Sequence, residues 1–154
     1  MTVPEITLRN LQRKIRVDVS ALQTFAHKAL RCCLSTRKTK RTELSALPNI
    51  FIWLISDRRI SQLHQRFLGQ TGVTDVLTFQ HGEIFISVET ARRHARSYGN
   101  SLTGELQLYI VHGLLHLHGF DDQTKAGARR MEKLQQKILS ECSANRQSHT
   151  AATV

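Results

Sequence analysis

Seven consecutive residues near the middle of the chain, NIFIWLI at 49–55, form an apolar run with the length of a β-strand. Such a run indicates a strand covered on both faces, because a strand with one solvated face alternates apolar and polar residues. Two further strands, DVLTF at 75–79 and EIFIS at 83–87, are separated by three residues, which predicts an antiparallel hairpin. With an alternating segment at 5–10, they predict a small mixed sheet of about four strands.

Five other segments have the apolar period and the end signals of helices that pack one face against such a sheet. They are 18–34, 56–69, 87–99, 103–119 and 124–139. Glycines at the ends of three of them, Gly69, Gly99 and Gly119, are typical of helix C-termini. We therefore predict a single α/β (α+β) domain over residues 1–141, with about five helices around the sheet. Residues 142–154 are small and polar without an apolar period, which predicts a disordered tail.

The charge balance restricts the kind of partner. The chain has 22 Lys and Arg against 12 Asp and Glu, a net charge of +10, which favours a polyanion such as nucleic acid or an acidic membrane surface. No apolar run approaches the roughly 20 residues that span a bilayer, and the first residues, MTVPEITLRN, lack a secretory layout. Cys32, Cys33 and Cys142 form no CxxC pair. Together these features predict a cytoplasmic protein with free thiols and no membrane segment.

The segment HGLLHLHGFDD at 112–122 has the most specific chemistry in the sequence. Residues four apart on a helix differ by about 40° in direction, so His112 and His116 lie on one face and are able to hold one metal ion. His118 points to nearly the opposite side. Gly119 permits the positive φ that would turn the chain back toward the histidine pair. This predicts a metal site at the end of a central helix.

A third ligand should come from the residues next to the turn at Gly119. Asp122 is the first candidate, and Asp121 and His118 are the alternatives. Asp122 also has a structural explanation, as a cap for the helix that begins near Thr124. Gly113 stands where HExxH metalloproteases have their glutamate base, which disfavours peptide hydrolysis by their usual route.

This segment resembles the motif of the YbeY endoribonucleases, H-G-x-L-H-L-x-G-Y/F-D-H. It matches every fixed position except the last, where Asp122 replaces a histidine. A second block of that family, T-D-V-L-S/T-F, is present as TDVLTF at 74–79 and is followed by GEI at 82–84. The similarity extends from Val3 to Leu139, so it covers the whole predicted domain.

The resemblance implies a single-strand-specific, metal-dependent endoribonuclease with one Zn²⁺ and a metal-bound water as the hydrolytic group. It also implies maturation of ribosomal RNA, notably at the 3′ end of the small-subunit RNA, and ribosome quality control. The expected partners are ribosomal RNA and the ribosome or its small-subunit proteins. A carboxylate from Asp122 would cancel part of the ion's charge and is a harder ligand than histidine, so Mn²⁺ or Fe²⁺ would also be acceptable.

The family's RNA contact is the main departure. An Asn-x-x-Tyr-Arg segment commonly precedes its Thr-Asp block, and the aligned residues here are His64, Phe67 and Leu68, so the arginine has no counterpart. Other arginines are candidates for contacts with RNA phosphates, or else belong to solvated helix faces. They are Arg58, Arg59, Arg66, Arg92, Arg93 and Arg96. Leu68 and Asp122 leave open a second function, a metal-stabilised RNA- or ribosome-binding factor with little or no nuclease activity.

Overall fold

The computed structural model describes residues 3–36 and 44–151, with side chains described as far as residue 143. The helices and strands, in chain order, are β1 (Glu5–Asn10), α1 (Val19–Ser35), β2 (Asn49–Ile55), α2 (Asp57–Leu68), β3 (Val76–Phe79), β4 (Glu83–Ser87), α3 (Val88–Tyr98), α4 (Leu102–Leu117) and α5 (Lys125–Ala151). A short 3-10 helix, Leu44–Ala46, precedes β2. Within the described residues the predicted α+β class, with a small mixed sheet and five α-helices, is confirmed.

The sheet has the strand order β1-β2-β4-β3. β1 and β4 both run parallel to β2, and β3 pairs antiparallel with β4, which confirms the predicted hairpin. β2 is therefore an interior strand, which explains its unbroken apolar sequence. On one face of β2 Ile52 is fully buried, and on the other Trp53 is partly buried and stacks on Phe51 with 5.5 Å between ring centroids.

Most of the core lies between one face of the sheet and the helices α1, α4 and α5. A smaller apolar cluster on the opposite face contains Ile55, Ile60 and Leu77, and α2 supplies its Ile60. α4 has buried residues around most of its circumference, including Leu106, Ile110 and Leu114, because it packs between the sheet and other helices. This central position fixes the end of α4 relative to the sheet.

The ends of the helices follow the sequence signals in most cases. Ser56 caps α2 by accepting a hydrogen bond from the backbone N–H of Arg59 at 3.2 Å. Gly69 and Gly99 end α2 and α3 with φ values of 64° and 68°, in the left-handed region that favours glycine.

The end of α5 differs from the expectation. The helix extends to Ala151 through residues 142–151, which their polar composition predicts to be disordered. An existing helix adds residues at much lower cost than a new one nucleates, so a segment without an apolar period is able to continue it. Residues 152–154 of the predicted tail lie outside the described part of the chain.

The three cysteines are free thiols, as expected. Burial raises the pKa of Cys32 to about 12 and raises the pKa of Cys33 as well, so both groups stay protonated at neutral pH and are weak nucleophiles. Among the described residues, the structure has no helix that is both long and apolar enough to cross a membrane.

Candidate metal centre

Three metal-ligating side chains meet at the C-terminal end of α4. The Nε2 atoms of His112 and His116 lie 2.9 Å apart. The carboxylate of Asp122 approaches both of them, with Oδ2 3.8 Å from His112 Nε2 and Oδ1 3.9 Å from His116 Nε2. One ligand atom from each residue lies within 4.8 Å of the other two.

This spacing suits a single divalent ion. In a tetrahedral zinc site, the bonds from zinc to nitrogen and oxygen are about 2.0–2.1 Å long. Neighbouring ligand atoms are then about 3.3 Å apart. The distance between the two Nε2 atoms is somewhat shorter than this, and both distances to the carboxylate are somewhat longer. The two carboxylate distances involve different oxygens, and one ligand atom from each residue lies within 4.8 Å of the others, so movements of roughly 1 Å, mainly in the exposed side chain of Asp122, would complete a three-ligand shell.

The turn after α4 brings the carboxylate back to the histidines. Gly119 has a φ of 88°, the positive value that the sequence predicts at this position. Its N–H donates to the carbonyl of His116 at 3.0 Å, and the N–H of Phe120 donates to the carbonyl of Leu115 at 3.0 Å. These bonds satisfy carbonyls of the last helical turn and direct the following chain toward the ligand face.

The two alternative third ligands lie outside this group. His118 is fully buried, and its Nε2 lies 3.3 Å from the carbonyl oxygen of Thr36. The Oδ1 of Asp121 accepts a hydrogen bond from the N–H of Gln123 at 3.2 Å. The helix-capping role that the sequence allows for Asp122 belongs to Thr124. Its Oγ1 accepts a hydrogen bond from the backbone N–H of the residue three positions later, at 2.9 Å.

Each of the two histidines has a hydrogen-bond partner outside the group of three. The Nδ1 of His112 lies 2.5 Å from Oε1 of Gln135 on α5, and the imidazole of His116 bonds to the backbone of Phe120. Burial, followed by the neighbouring His112, lowers the pKa of His116, so its neutral, metal-binding form is favoured. Sequence reasoning missed Gln135. The available signal was a polar residue in the apolar period of the last helix.

Gly113 shows why this site has no glutamate base. A Cβ at this position would lie 2.8 Å from both Cδ1 and Cγ2 of Ile84 on β4. The residue faces the sheet, so a larger side chain would enter the core instead of the metal site. The helix therefore offers two potential metal ligands, His112 and His116, and no carboxylate at position 113 beside them.

A cleft of about 210 Å³ adjoins the ligand group between α4 and the edge strand β3. Its lining includes His112, His116, Leu68 and residues 76–80. Leu68, the position at which the resemblance leads one to expect an arginine, lines this cleft with 52% of its surface exposed. Thr78 and Gln80 are the uncharged polar side chains along the same wall.

The arginines that the sequence suggests as RNA ligands are on α2 and α3, and within the described residues none of them lines that cleft. Arg93 is engaged: its Nη1 donates to Oδ2 of Asp57 at 2.7 Å and its Nη2 to Oγ1 of Thr90 at 2.8 Å. The guanidinium carbon of Arg66 lies 5.6 Å from the ring centroid of Phe67. The remaining four, Arg58, Arg59, Arg92 and Arg96, are exposed.

Asp57 connects α2 to α3. Its Oδ1 accepts hydrogen bonds from the hydroxyls of Ser87 at 2.5 Å and Thr90 at 2.7 Å. Burial acts to raise the pKa of Asp57, but the hydrogen bonds from Arg93, Ser87 and Thr90 outweigh it and hold the pKa below its usual value. The network stabilises the contact between the two helices. This structural role explains the presence of Arg93 without any contact to RNA.

The fold and the side-chain group define a small α+β domain with three potential metal ligands at the end of its central helix. Comparison with known proteins gives the family. The sequence profile described as Endoribonuclease YbeY matches residues 7–143, so the chain belongs to this family.

Individual relatives agree with that assignment. A protein of Thermodesulfovibrio yellowstonii named Endoribonuclease YbeY is 30% identical over 147 residues, covering 85% of this chain and 92% of its own. One of Moorella thermoacetica with the same name is 38% identical over 110 residues, covering 59% and 70%. The solution structure of a Thermotoga maritima protein superposes with a TM-score of 0.60 at 26% identity, covering 91% of this chain and 93% of the other.

Proposed function

We propose that this chain is a metal-dependent endoribonuclease that hydrolyses phosphodiester bonds in single-stranded RNA. The observation that carries the proposal is the group of His112, His116 and Asp122, whose two histidines line the cleft beside β3. Membership of a family whose relatives are named endoribonucleases supports RNA as the substrate. The net charge of +10 is in keeping with a polyanionic substrate.

The residues present suggest how the site would act. His112 and His116 would bind a divalent ion through their Nε2 atoms, and Asp122 would add a negatively charged oxygen. Bound there, such an ion supplies Lewis acidity to a scissile phosphate and lowers the pKa of water. Because Gly113 supplies no base, the chain's own contribution is to position the substrate and keep the histidines neutral. Thr78 and Gln80 offer uncharged hydrogen-bonding groups along the cleft wall.

Zinc is the ion that we propose first, because two histidines and one aspartate form an acceptable zinc shell. The carboxylate makes Mn²⁺ or Fe²⁺ the alternatives. We further propose cytoplasmic maturation of ribosomal RNA, including the 3′ end of the small-subunit RNA, and ribosome quality control as the biological setting. The ribosome or its small-subunit proteins would then be the partners, and the exposed arginines of α2 and α3 would contact RNA phosphates outside the cleft.

The test combines metal analysis with RNA cleavage. Wild-type protein should contain about one zinc per chain and cut a ribosomal RNA fragment that has single-stranded ends. Asp122→Ala and His112→Ala should lose metal and cleavage together. Asp121→Ala is the matched control, since its carboxylate is adjacent in sequence but outside the ligand group. Cleavage that persists in His112→Ala, or after complete removal of metal, would contradict the proposal.

A metal-stabilised RNA- or ribosome-binding factor is the less favoured function, because the relatives carry the name of an enzyme. It would be favoured if the wild-type protein held its metal and bound RNA tightly without cutting it. Leu68→Arg, which places a cation at the rim of the cleft, would then test whether the lack of that cation is what prevents cleavage.

A further inference from the structure

We infer that Gln135 is a positioning residue for the metal centre: from α5, its side-chain oxygen holds His112 with Nδ1 protonated and Nε2 directed at the ion. The inference rests on the proposed metal site and extends it to a residue beyond the ligand segment. Gln135 is 13 positions past Asp122 in the sequence and belongs to a different helix from the histidines.

The place of Gln135 on α5 is the first observation. Met131, Ile138 and Cys142 form the buried face of this helix, with 2%, 2% and 4% of their surface exposed. Gln135 lies between them at helical spacing and is itself only partly exposed, so a polar amide occupies a face that packs against the core. An amide in such a place is costly unless it is hydrogen-bonded, and its bond goes to a metal ligand.

The second observation is which imidazole nitrogen the amide contacts. Oε1 of Gln135 lies 2.5 Å from Nδ1 of His112, whereas Nε2 of His112 faces His116 and Asp122. A neutral imidazole has one protonated nitrogen and one lone pair. A proton on Nδ1, donated to the amide oxygen, places the lone pair on Nε2, where an ion needs it. The opposite tautomer would direct an N–H into the ligand group.

The bond also fixes the ring itself. His112 is on α4 and Gln135 is on α5, so the contact restrains the ligand from outside its own helix. Partners of this kind typically change metal affinity by about 10- to 100-fold when they are removed.

Metal affinity provides the direct test, measured by competition with a fluorescent zinc chelator. We expect Gln135→Leu and Gln135→Met to bind zinc about 10- to 100-fold more weakly than wild type. Gln135→Glu should bind at least as tightly as wild type, because a carboxylate accepts from Nδ1 and cannot donate to it. Gln136→Leu, at the exposed neighbouring position on α5, is the matched control and should be unchanged.

A second readout separates positioning from general stability. Nitrogen-15 NMR of the imidazoles in metal-free protein should show His112 with its proton mainly on Nδ1 in Gln135→Glu, and a mixture of tautomers in Gln135→Leu. Wild-type affinity in both apolar variants, or a tenfold loss in Gln135→Glu, would overturn the inference. If the wild type bound no zinc, or His112→Ala bound it equally well, the proposed metal site itself would fail, which is a different result.

Discussion

Replacing Gly113 with alanine tests the close packing of α4 on the sheet. The added Cβ would lie 2.8 Å from two carbons of Ile84 and 3.1 Å from a third, whereas carbon atoms in contact prefer about 3.5–4.0 Å. Helix and strand would have to separate by roughly 0.7 Å, and overpacking of this kind costs about 1–3 kcal/mol. Alanine also favours the helix over glycine by about 1 kcal/mol, so the net loss of unfolding free energy should be about 0–2 kcal/mol.

Because the two effects oppose each other, a double-mutant cycle is needed. Ile84→Ala removes all three crowded carbons and should itself cost about 2–5 kcal/mol. In that background Gly113→Ala should stabilise the protein by about 1 kcal/mol, giving a coupling energy of about 1–3 kcal/mol. Urea unfolding followed by circular dichroism, with a chelator present, measures each term. An equal stabilisation by Gly113→Ala in both backgrounds would refute the close-packing argument.

Three further predictions concern the site and its surroundings. Asp57→Asn should lower the unfolding free energy by about 1.5–3 kcal/mol at pH 7, through loss of charged hydrogen bonds. Since the pKa of Asp57 is lowered on folding, this contribution should be lost as the pH falls below its ordinary value of 3.8, so urea midpoints of variant and wild type should converge in acid. Gly127→Ala would place a Cβ 2.6 Å from the backbone oxygen of Asp121 and should displace the loop carrying Asp122, which chelator competition would detect as weaker zinc binding without loss of helix content. The pKa of His116 is also lower in the folded chain, so metal-free wild type should lose stability as the pH falls through 6.5, and metal-free His116→Gln should lose less when both are titrated with urea.

Much of the fold could be predicted because its signals are local. The alternation of β4, the short hairpin before it and the glycines after α2 and α3 each depend on a few neighbouring residues. The strand order β1-β2-β4-β3 was not predicted, since parallel pairing joins strands that are far apart in the sequence. The C-terminal end of α5 is not predictable from composition. The loss of the apolar period shows where a helix stops packing on a core, but the helix itself is able to continue beyond that point.

The residues of the site also differ in how far they could be predicted from local sequence. Helix geometry and one turn predict His112, His116 and Asp122, and the structure brings these three together. Gln135 was missed because its partner is on another helix, where an amphipathic pattern shows only one polar position. The sequence offers Arg93 as a candidate RNA ligand because it is basic, and its ion pair with Asp57 cannot be seen there, since the two residues are 36 positions apart.

The three ligands come from one short stretch of sequence, residues 112–122. Closing so small a loop costs little entropy, so the unfolded chain is also able to bring the histidines and the carboxylate around an ion. A ligand raises the unfolding free energy only by the difference between its affinities for the folded and unfolded states. The rise in Tm on adding zinc should therefore understate the affinity of the native site. Direct titration of the folded protein would give the larger value.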